Sequence, residues 1–173
     1  FASQPGAVAA PTASLHFTNE ILAQLSTKKI EIIYITLHIG LGTFNPIQSE
    51  NIYDHKMHKE NYYISTESAN KLNKALKNKK RIIGVGTTVA RCLESNISNN
   101  KISAGENSTN LYITPGYKLK CINGLITNFH LPKSSLLILI ASIVGQKKVL
   151  EIYNEAIKKK YRFFSFGDAM LIT

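Results

Sequence analysis

Strand and helix patterns alternate along this sequence, and that alternation constrains the fold more than any other feature. Residues 31–39 are apolar and β-branched with few polar breaks, which predicts a strand buried on both faces. A strand at 62–65, a helix at about 66–78 and a short strand at 81–85 follow in a βαβ-like order. The pattern predicts an α/β fold in which a mixed or mostly parallel sheet is flanked by helices.

The remaining elements are predicted from the signals at their ends. Thr18 is a suitable cap for a helix that runs to about Lys28. Pro132 suits the first turn of a helix over 133–144, which Gly145 ends. The other predictions are a polar, flexible stretch at 96–109, strands near 111–114 and 125–127, and a last helix at about 147–160.

The composition is that of one globular domain. With 173 residues, of which 44% are hydrophobic and 18% charged, the chain can bury a core. Its longest apolar run, at 136–144, is far shorter than the roughly 20 residues that cross a bilayer, so no membrane span is expected. Cys92 and Cys121 have no CxxC spacing, and a domain of this length does not depend on a disulfide, which favours the cytoplasm.

The charge of the chain indicates a polyanionic partner. A formal net charge of +10 favours nucleic acid, because clustered Lys and Arg neutralise phosphates and release their counterions. Compositional drift is the competing interpretation, since Lys, Asn and Ile are abundant throughout the sequence. Charge alone therefore leaves an RNA-binding surface open.

The scarce imidazoles and Asp carboxylates lie at predicted element ends or in loops. Loops after the carboxyl ends of strands form the ligand crevice of an α/β sheet, so we expect several of these side chains to converge on one site. They are His16, His38, His55, His58, His130, Asp54 and Asp168.

A short Gly-Thr turn joins the strand at 81–85 to the next helix. Gly86 permits close approach of a ligand, and free N–H groups at the helix N-terminus favour an anion or a ribose beside Thr87 and Thr88. Arg91, three residues after Thr88, shares that helix face. A simple capped turn is the alternative interpretation.

Metal and hydrolase chemistry have little support in the sequence. His55 and His58, with Glu60 nearby, resemble half a metal site, but there is no HExxH motif and no paired CxxC. A paired-carboxylate hydrolase is poorly supported, although Glu60 or Asp168 could act singly as a base. A lone His such as His130 is more often a hydrogen-bonded structural residue than a catalyst. The residues by themselves predict a ligand-binding α/β enzyme and leave its reaction open.

Six segments together resemble the S-adenosylmethionine:tRNA ribosyltransferase-isomerase family of queuosine biosynthesis, in its order and at similar spacing. They are residues 11–17 (PTASLHF), 38–44 (HIGLGTF), 55–58 (HKMH), 85–88 (VGTT) with Arg91 and Glu94, 127–132 (TNFHLP) and 162–171 (RFFSFGDAML). Three positions depart from the family pattern: Ser14 replaces a usual Gly, Leu41 a common small residue, and Phe166 a usual Tyr. Six segments in register make the resemblance specific.

The resemblance implies an α/β catalytic domain of which residues 1–173 are the C-terminal portion. The family's N-terminal segment and inserted β-barrel domain are then missing from this chain, so we expect it to be inactive alone. The implied reaction transfers and isomerises the ribosyl part of S-adenosylmethionine onto 7-aminomethyl-7-deazaguanine at the wobble position of tRNA. It gives epoxyqueuosine and releases adenine and methionine. S-adenosylmethionine is consumed as a substrate, and neither a cofactor nor a metal is expected.

The residue roles that the resemblance implies contain alternatives. His130 or His38 is the candidate general base, and Asp168 or Glu60 orients a His or holds the substrate amine. Thr87, Thr88 and Arg91 are expected to bind ribose hydroxyls or an RNA phosphate, and Phe44 and Phe129 to stack on a base. Asn128 is a further expected substrate contact, and His55 and His58 are expected to line the approach of the tRNA. Two other function classes stay open: a non-catalytic RNA-binding module that depends on Lys and Arg, and a metal-dependent hydrolase built on His55 and His58.

Overall fold

The computed structural model describes residue 7, residues 9–40 and residues 46–173. This part of the chain forms two three-stranded sheets with helices packed against them, which confirms the predicted mixed α/β class. The first sheet has the order β1 (Thr36–His38), β2 (Glu60–Ile64), β4 (Gly105–Thr109), and both of its strand pairs are antiparallel. The second sheet has the order β3 (Ile83–Val85), β5 (Gly124–Asn128), β6 (Ala169–Ile172). In the second sheet β3 and β5 are parallel, and β5 and β6 are antiparallel.

The helices lie close to the predicted positions. Those described are α1 (Asn19–Thr27), α2 (Thr66–Lys77), α3 (Thr87–Asn96), α4 (Ser135–Val144) and α5 (Gln146–Lys158), with short 3-10 helices at Thr12–His16 and Ile52–Asp54. The Thr18 hydroxyl caps α1 by accepting a hydrogen bond from the Ile21 N–H, as predicted. The prediction for Pro132 is wrong, because Ser134 is the cap of α4 and accepts from the Leu137 N–H. Because the Ser134 oxygen accepts from an N–H of the first turn, the helix begins at Ser135, two residues later than predicted.

The strand prediction at 31–39 is wrong in length and in burial. Only Thr36–His38 pairs in the sheet, and its three side chains are half-buried. β1 is an edge strand with one antiparallel neighbour, so it lacks the two-sided packing of a central parallel strand. The βαβ-like unit is also wrong, since β2 and β3, on either side of α2, belong to different sheets.

The sequence patterns did not predict two of the strands, β4 and β6. β4 lies within the stretch predicted to be polar and flexible, and no strand forms near 111–114. Most side chains of β4 are exposed on the sheet edge, so its sequence is polar and carries no alternating apolar signal. β6 is only four residues long and ends the chain's most aromatic segment.

The core lies around α3, which contacts β3 and β5 of the second sheet and β4 of the first. Apolar side chains of α2, α3, α4 and both sheets meet there, among them Ile64, Leu93, Leu125 and Ile140. α3 also buries two charged residues, Arg91 and Glu94, at 1% and 3% exposure. No helix in the described part of the chain has the length and apolar character needed to span a membrane.

The Glu94 carboxylate organises the turn that leads into β5. It accepts backbone N–H hydrogen bonds from Lys120 at 2.8 Å, Cys121 at 2.9 Å and Ile122 at 3.0 Å, and one from the Tyr117 hydroxyl at 3.3 Å. A buried carboxylate is stable only when donors replace its water, and these four do so. Glu94 therefore fixes the start of the strand whose other end carries the candidate site.

Candidate functional site

The carboxyl end of β5 is where several of the scarce polar residues meet. β5 ends at Asn128, and the parallel β3 ends beside it, where the Gly86 N–H donates to the Ile126 carbonyl at 2.8 Å. The 3-10 helix Thr12–His16 packs against β5. Two of the seven residues predicted to converge, His16 and Asp168, meet at this end of the second sheet.

Asn128 is the central residue of this end. Its side chain is buried, with the residue 3% exposed. The amide nitrogen donates to the carbonyls of Phe164 at 2.9 Å and Ser165 at 3.2 Å. The amide oxygen lies 3.3 Å from Nε2 of His16. Asn128 thus joins the N-terminal 3-10 helix to the C-terminal segment 162–168.

Segment 162–168 is closed by Asp168 and Arg162. The Asp168 carboxylate accepts from the Arg162 backbone N–H at 2.7 Å and from its guanidinium at 2.8 Å, while the Asp168 N–H donates to the Arg162 carbonyl at 2.8 Å. These bonds from Arg162, with a smaller contribution from His16, lower the pKa of Asp168. The loop exposes 84% of Phe166 at its tip. Asp168 is therefore a carboxylate at neutral pH.

His130 is held by structural partners. Its Nε2 lies 2.9 Å from the Thr127 hydroxyl, and its backbone N–H donates to the Tyr153 hydroxyl at 2.9 Å. Burial lowers the pKa of His130 to about 4. A neutral imidazole with so low a pKa is a weak base, so the geometry favours a structural role, and its predicted catalytic role stays a prediction.

Glu60 and Arg91 form a buried ion pair away from this end. The Arg91 Nη1 donates to the Glu60 carboxylate at 2.9 Å, and its Nε donates to the Leu111 carbonyl at 2.9 Å. Burial lowers the pKa of Arg91, and the Glu60 charge opposes that shift. Both residues are 1% exposed, so they hold β2, α3 and the chain before β5 together rather than line an open surface. Their predicted substrate and base roles remain untested.

The Gly-Thr turn forms as predicted at the start of α3. Gly86 has a φ of +101°, a left-handed conformation that favours glycine, and no side chain caps the helix. Thr87 and Thr88 are each 7% exposed. The turn therefore has the predicted shape, but its hydroxyls are buried.

The other predicted residues are dispersed. His38 ends β1 and lies opposite Asn61 in the first sheet. His55 packs edge-on against Tyr112 with ring centroids 5.3 Å apart, and burial, followed by the charge of His58, lowers the pKa of His55. Within residues 7, 9–40 and 46–173, no three His, Cys, Asp or Glu side chains are grouped as metal ligands.

Phe129 is 4% exposed and packs against Tyr153, Tyr161 and Phe163. It lines an open groove of about 510 Å³ beside α5. Its aromatic packing is that of a core residue, and its predicted stacking role is untested. Phe44 lies outside the described residues.

The site that forms contains two residues to which the sequence assigned no role, His16 and Arg162. His16 is part of the PTASLHF segment, and Arg162 precedes its partner Asp168 by six residues in RFFSFGDAML. Local spacing could not identify the pairing of His16, because its partner Asn128 lies 112 residues away. The signals in the sequence were the motif segments and, for His16, its place among the scarce imidazoles at element ends.

The fold and the site define a mixed α/β protein whose polar side chains collect where the central strand of one sheet ends. The family model described as queuosine biosynthesis protein matches residues 1–172. The chain therefore belongs to the queuosine biosynthesis protein family.

Named relatives agree with this family. The chain is 51% identical, over 99% of its length, to the S-adenosylmethionine:tRNA ribosyltransferase-isomerase of Carboxydothermus hydrogenoformans, and covers 51% of that protein. It is 49% identical to the protein of the same name from Clostridioides difficile, again over 99% of this chain and 51% of the relative. The crystal structure of S-adenosylmethionine tRNA ribosyltransferase from Thermotoga maritima superposes with a TM-score of 0.75 at 39% identity, over 93% of this chain and 51% of that one. The chain thus spans about half the length of the relatives it matches.

Proposed function

We propose that the protein carrying this chain is an S-adenosylmethionine:tRNA ribosyltransferase-isomerase. It transfers and isomerises the ribosyl moiety of S-adenosylmethionine onto 7-aminomethyl-7-deazaguanine in tRNA, forms epoxyqueuosine, and releases adenine and methionine. One observation carries the proposal: relatives of that name match 99% of this chain at about half identity.

The position of the polar cluster supports the proposal. Its members come from the N-terminal 3-10 helix, from the end of β5 and from segment 162–168, and these are three of the six family segments. Side chains that meet from distant segments at a strand end are typical of a ligand site rather than of local packing. The net charge of +10 is compatible with a tRNA partner.

For this ribosyl transfer, the protein mainly has to orient two large substrates and move protons. The sulfonium acidifies the C5′ protons of S-adenosylmethionine, so one positioned base is enough to begin the reaction by forming an ylide. S-adenosylmethionine is consumed, and the proposal includes neither a metal nor a resident cofactor. A tRNA-modifying enzyme of this kind acts in the cytoplasm.

The test is release of adenine and methionine by the complete natural protein that contains this chain. It is incubated with S-adenosylmethionine and with tRNA that carries 7-aminomethyl-7-deazaguanine; tRNA with an unmodified guanine is the control. We expect adenine release only with the modified tRNA, unchanged by a chelator. Absence of tRNA-dependent adenine release would overturn the proposal. Binding of tRNA without turnover would instead favour the RNA-binding module, and loss of activity with a chelator the metal-dependent hydrolase.

The 173-residue chain assayed alone is a second arm of this test. We expect it to give no turnover, because it covers only about half of each relative. Full turnover by this chain would show that the site at the end of β5 is sufficient.

A further inference from the structure

We infer that His16 is the general base of the proposed reaction and that Asn128 sets the protonation of its two ring nitrogens. The inference rests on the proposed function and adds a residue that the sequence left without a role. It depends on three observations: the orientation of the Asn128 amide, the unequal surroundings of the two His16 nitrogens, and the electrostatic interaction of the ring with the Asp168 carboxylate.

The orientation of the Asn128 amide is decided by its neighbours. The side-chain nitrogen faces the carbonyl oxygens of Phe164 and Ser165, at 2.9 and 3.2 Å. Carbonyl oxygens can only accept hydrogen bonds, so the NH₂ group must point at them. The amide oxygen, which is a pure acceptor, therefore faces His16.

This orientation selects one tautomer of neutral His16. Nε2 of His16 lies 3.3 Å from the Asn128 amide oxygen and must carry the hydrogen that bridges them. The lone pair is then on Nδ1, which has no hydrogen-bond partner among the described residues. A ring nitrogen with a free lone pair, on an imidazole whose other nitrogen is anchored, is the arrangement of a general base.

An ionised carboxylate acts on His16 at this end of β5. Asp168 interacts electrostatically with His16, and Arg162 is bound to the same Asp168 carboxylate. The Asp168 side chain is 31% exposed, and His16 is half-buried, so substrate can approach this group from solvent. Arg162 keeps that carboxylate ionised and in place.

The proton transfer is balanced within the substrates. The Nδ1 lone pair takes one C5′ proton of S-adenosylmethionine, and the electrons of the C–H bond stay on C5′ beside the sulfonium. His16 is then an imidazolium. The C5′ electron pair forms a C4′=C5′ double bond as the C4′–O4′ bond breaks, and the O4′ pair forms a C1′=O4′ double bond as the glycosidic C1′–N9 bond breaks. The electrons of that last bond leave with adenine, and His16 returns the proton to the adenine nitrogen. His16 finishes neutral, and release of adenine needs no reactant besides S-adenosylmethionine. The amine of the tRNA base then bonds to the opened ribosyl group, and methionine leaves with the electrons of the C5′–S bond.

The other candidate bases have weaker positions. His130 has its Nε2 at the Thr127 hydroxyl, and burial lowers its pKa to about 4. His38 lies in the first sheet, opposite Asn61. Neither is joined to segment 162–168, whereas His16 is joined to it through Asn128.

The experiment uses two substitutions of His16 in the complete natural protein. His16→Gln keeps an N–H close to the position of Nε2, so it preserves the hydrogen bond to Asn128 but supplies no base. His16→Ala removes both functions. Gln24→Ala, on the exposed side of α1, is the matched control. The readouts are kcat and KM for tRNA-dependent adenine release between pH 5 and pH 9, with circular dichroism to check the fold.

We expect both His16 variants to lower kcat by about 100-fold or more, with KM for each substrate changed only a few-fold. The fall of wild-type kcat at acid pH, where imidazole takes a proton, should be absent from His16→Gln. If His16 has only a structural role, we expect the opposite result: kcat near the wild-type value in His16→Gln, and a lower kcat only in His16→Ala. That result, or an unchanged acid limb in His16→Gln, would overturn the inference.

Two further outcomes separate the role of His16 from the folding of its variant and from the proposed function. Should His16→Gln fail to fold, the wild-type pH profile decides, and the absence of a single titrating group on its acid side would contradict the inference. Absence of adenine release by the wild type would contradict the proposed function itself. Normal turnover by the wild type together with a fully active His16→Gln variant would contradict only the role of His16 as the general base.

Discussion

Replacement of the buried Glu94 tests whether this family segment stabilises the fold. In Glu94→Ala, the N–H groups of Cys121 and Ile122 lose their acceptor inside the protein, while the N–H of exposed Lys120 can bind water. Each unsatisfied buried donor costs about 1–3 kcal/mol. With the lost packing included, we expect the free energy of unfolding to fall by about 4 kcal/mol, a large part of the stability of a domain.

Glu94→Gln separates the charge from the acceptor. Its amide oxygen can still accept from Cys121 and Ile122, whereas its NH₂ group faces the Lys120 N–H and the Tyr117 hydroxyl. The Tyr117 hydroxyl can turn and accept, so only the exposed Lys120 N–H opposes the new donor. We expect a loss of about 1–2 kcal/mol, well below that of Glu94→Ala.

The assay is unfolding of the 173-residue chain in urea, followed by far-ultraviolet circular dichroism, because the sequence has no tryptophan. With a urea dependence of about 2 kcal/mol per M, Glu94→Ala should lower the midpoint by roughly 2 M without changing the slope. Glu106→Ala, on exposed β4, is the control and should stay within about 0.5 kcal/mol of wild type. A loss below about 1 kcal/mol in Glu94→Ala would refute the account of the buried carboxylate.

Two further predictions concern the site and its supports. Because burial lowers the pKa of His130 to about 4, the unfolded chain takes up a proton below about pH 6.5 that the folded chain does not. Titration of His130 therefore does not change stability above about pH 6.5. Between about pH 6.5 and 4, the free energy of unfolding of wild type should fall by about 2–3 kcal/mol more than that of His130→Gln in urea unfolding. Equal losses in both proteins would contradict this. At Gly167, a Cβ would collide with the Arg162 carbonyl oxygen and lie 2.6 Å from the Phe163 carbonyl carbon, so Gly167→Ala should open the loop closed by Asp168. We expect a destabilisation of about 2 kcal/mol and lower adenine release by the complete protein; wild-type values for both would show that the loop adapts.

The segments that resemble the family do not all have the same physical role. Arg91 and Glu94 belong to one segment, yet both are buried by partners that come from distant parts of the chain, such as Glu60 and Ile122. A charged residue in a helix is normally on its exposed face, so periodicity gives no signal for such pairs. The resemblance found these residues, but only their contacts show that they stabilise the frame that positions β5.

The sequence by itself determined the elements with strong local signals and the family to which the chain belongs. The helix capped by Thr18, the Gly86 turn and the helix end at Gly145 depend on contacts within a few residues, which a sequence displays directly. The tertiary structure decided which strands pair, because pairing depends on partners far along the chain. It placed β2 and β3 in different sheets and made polar β4 a strand. It also decided the site, since the bond between His16 and Asn128 spans 112 residues and exists only when the two sequence segments pack at the end of β5.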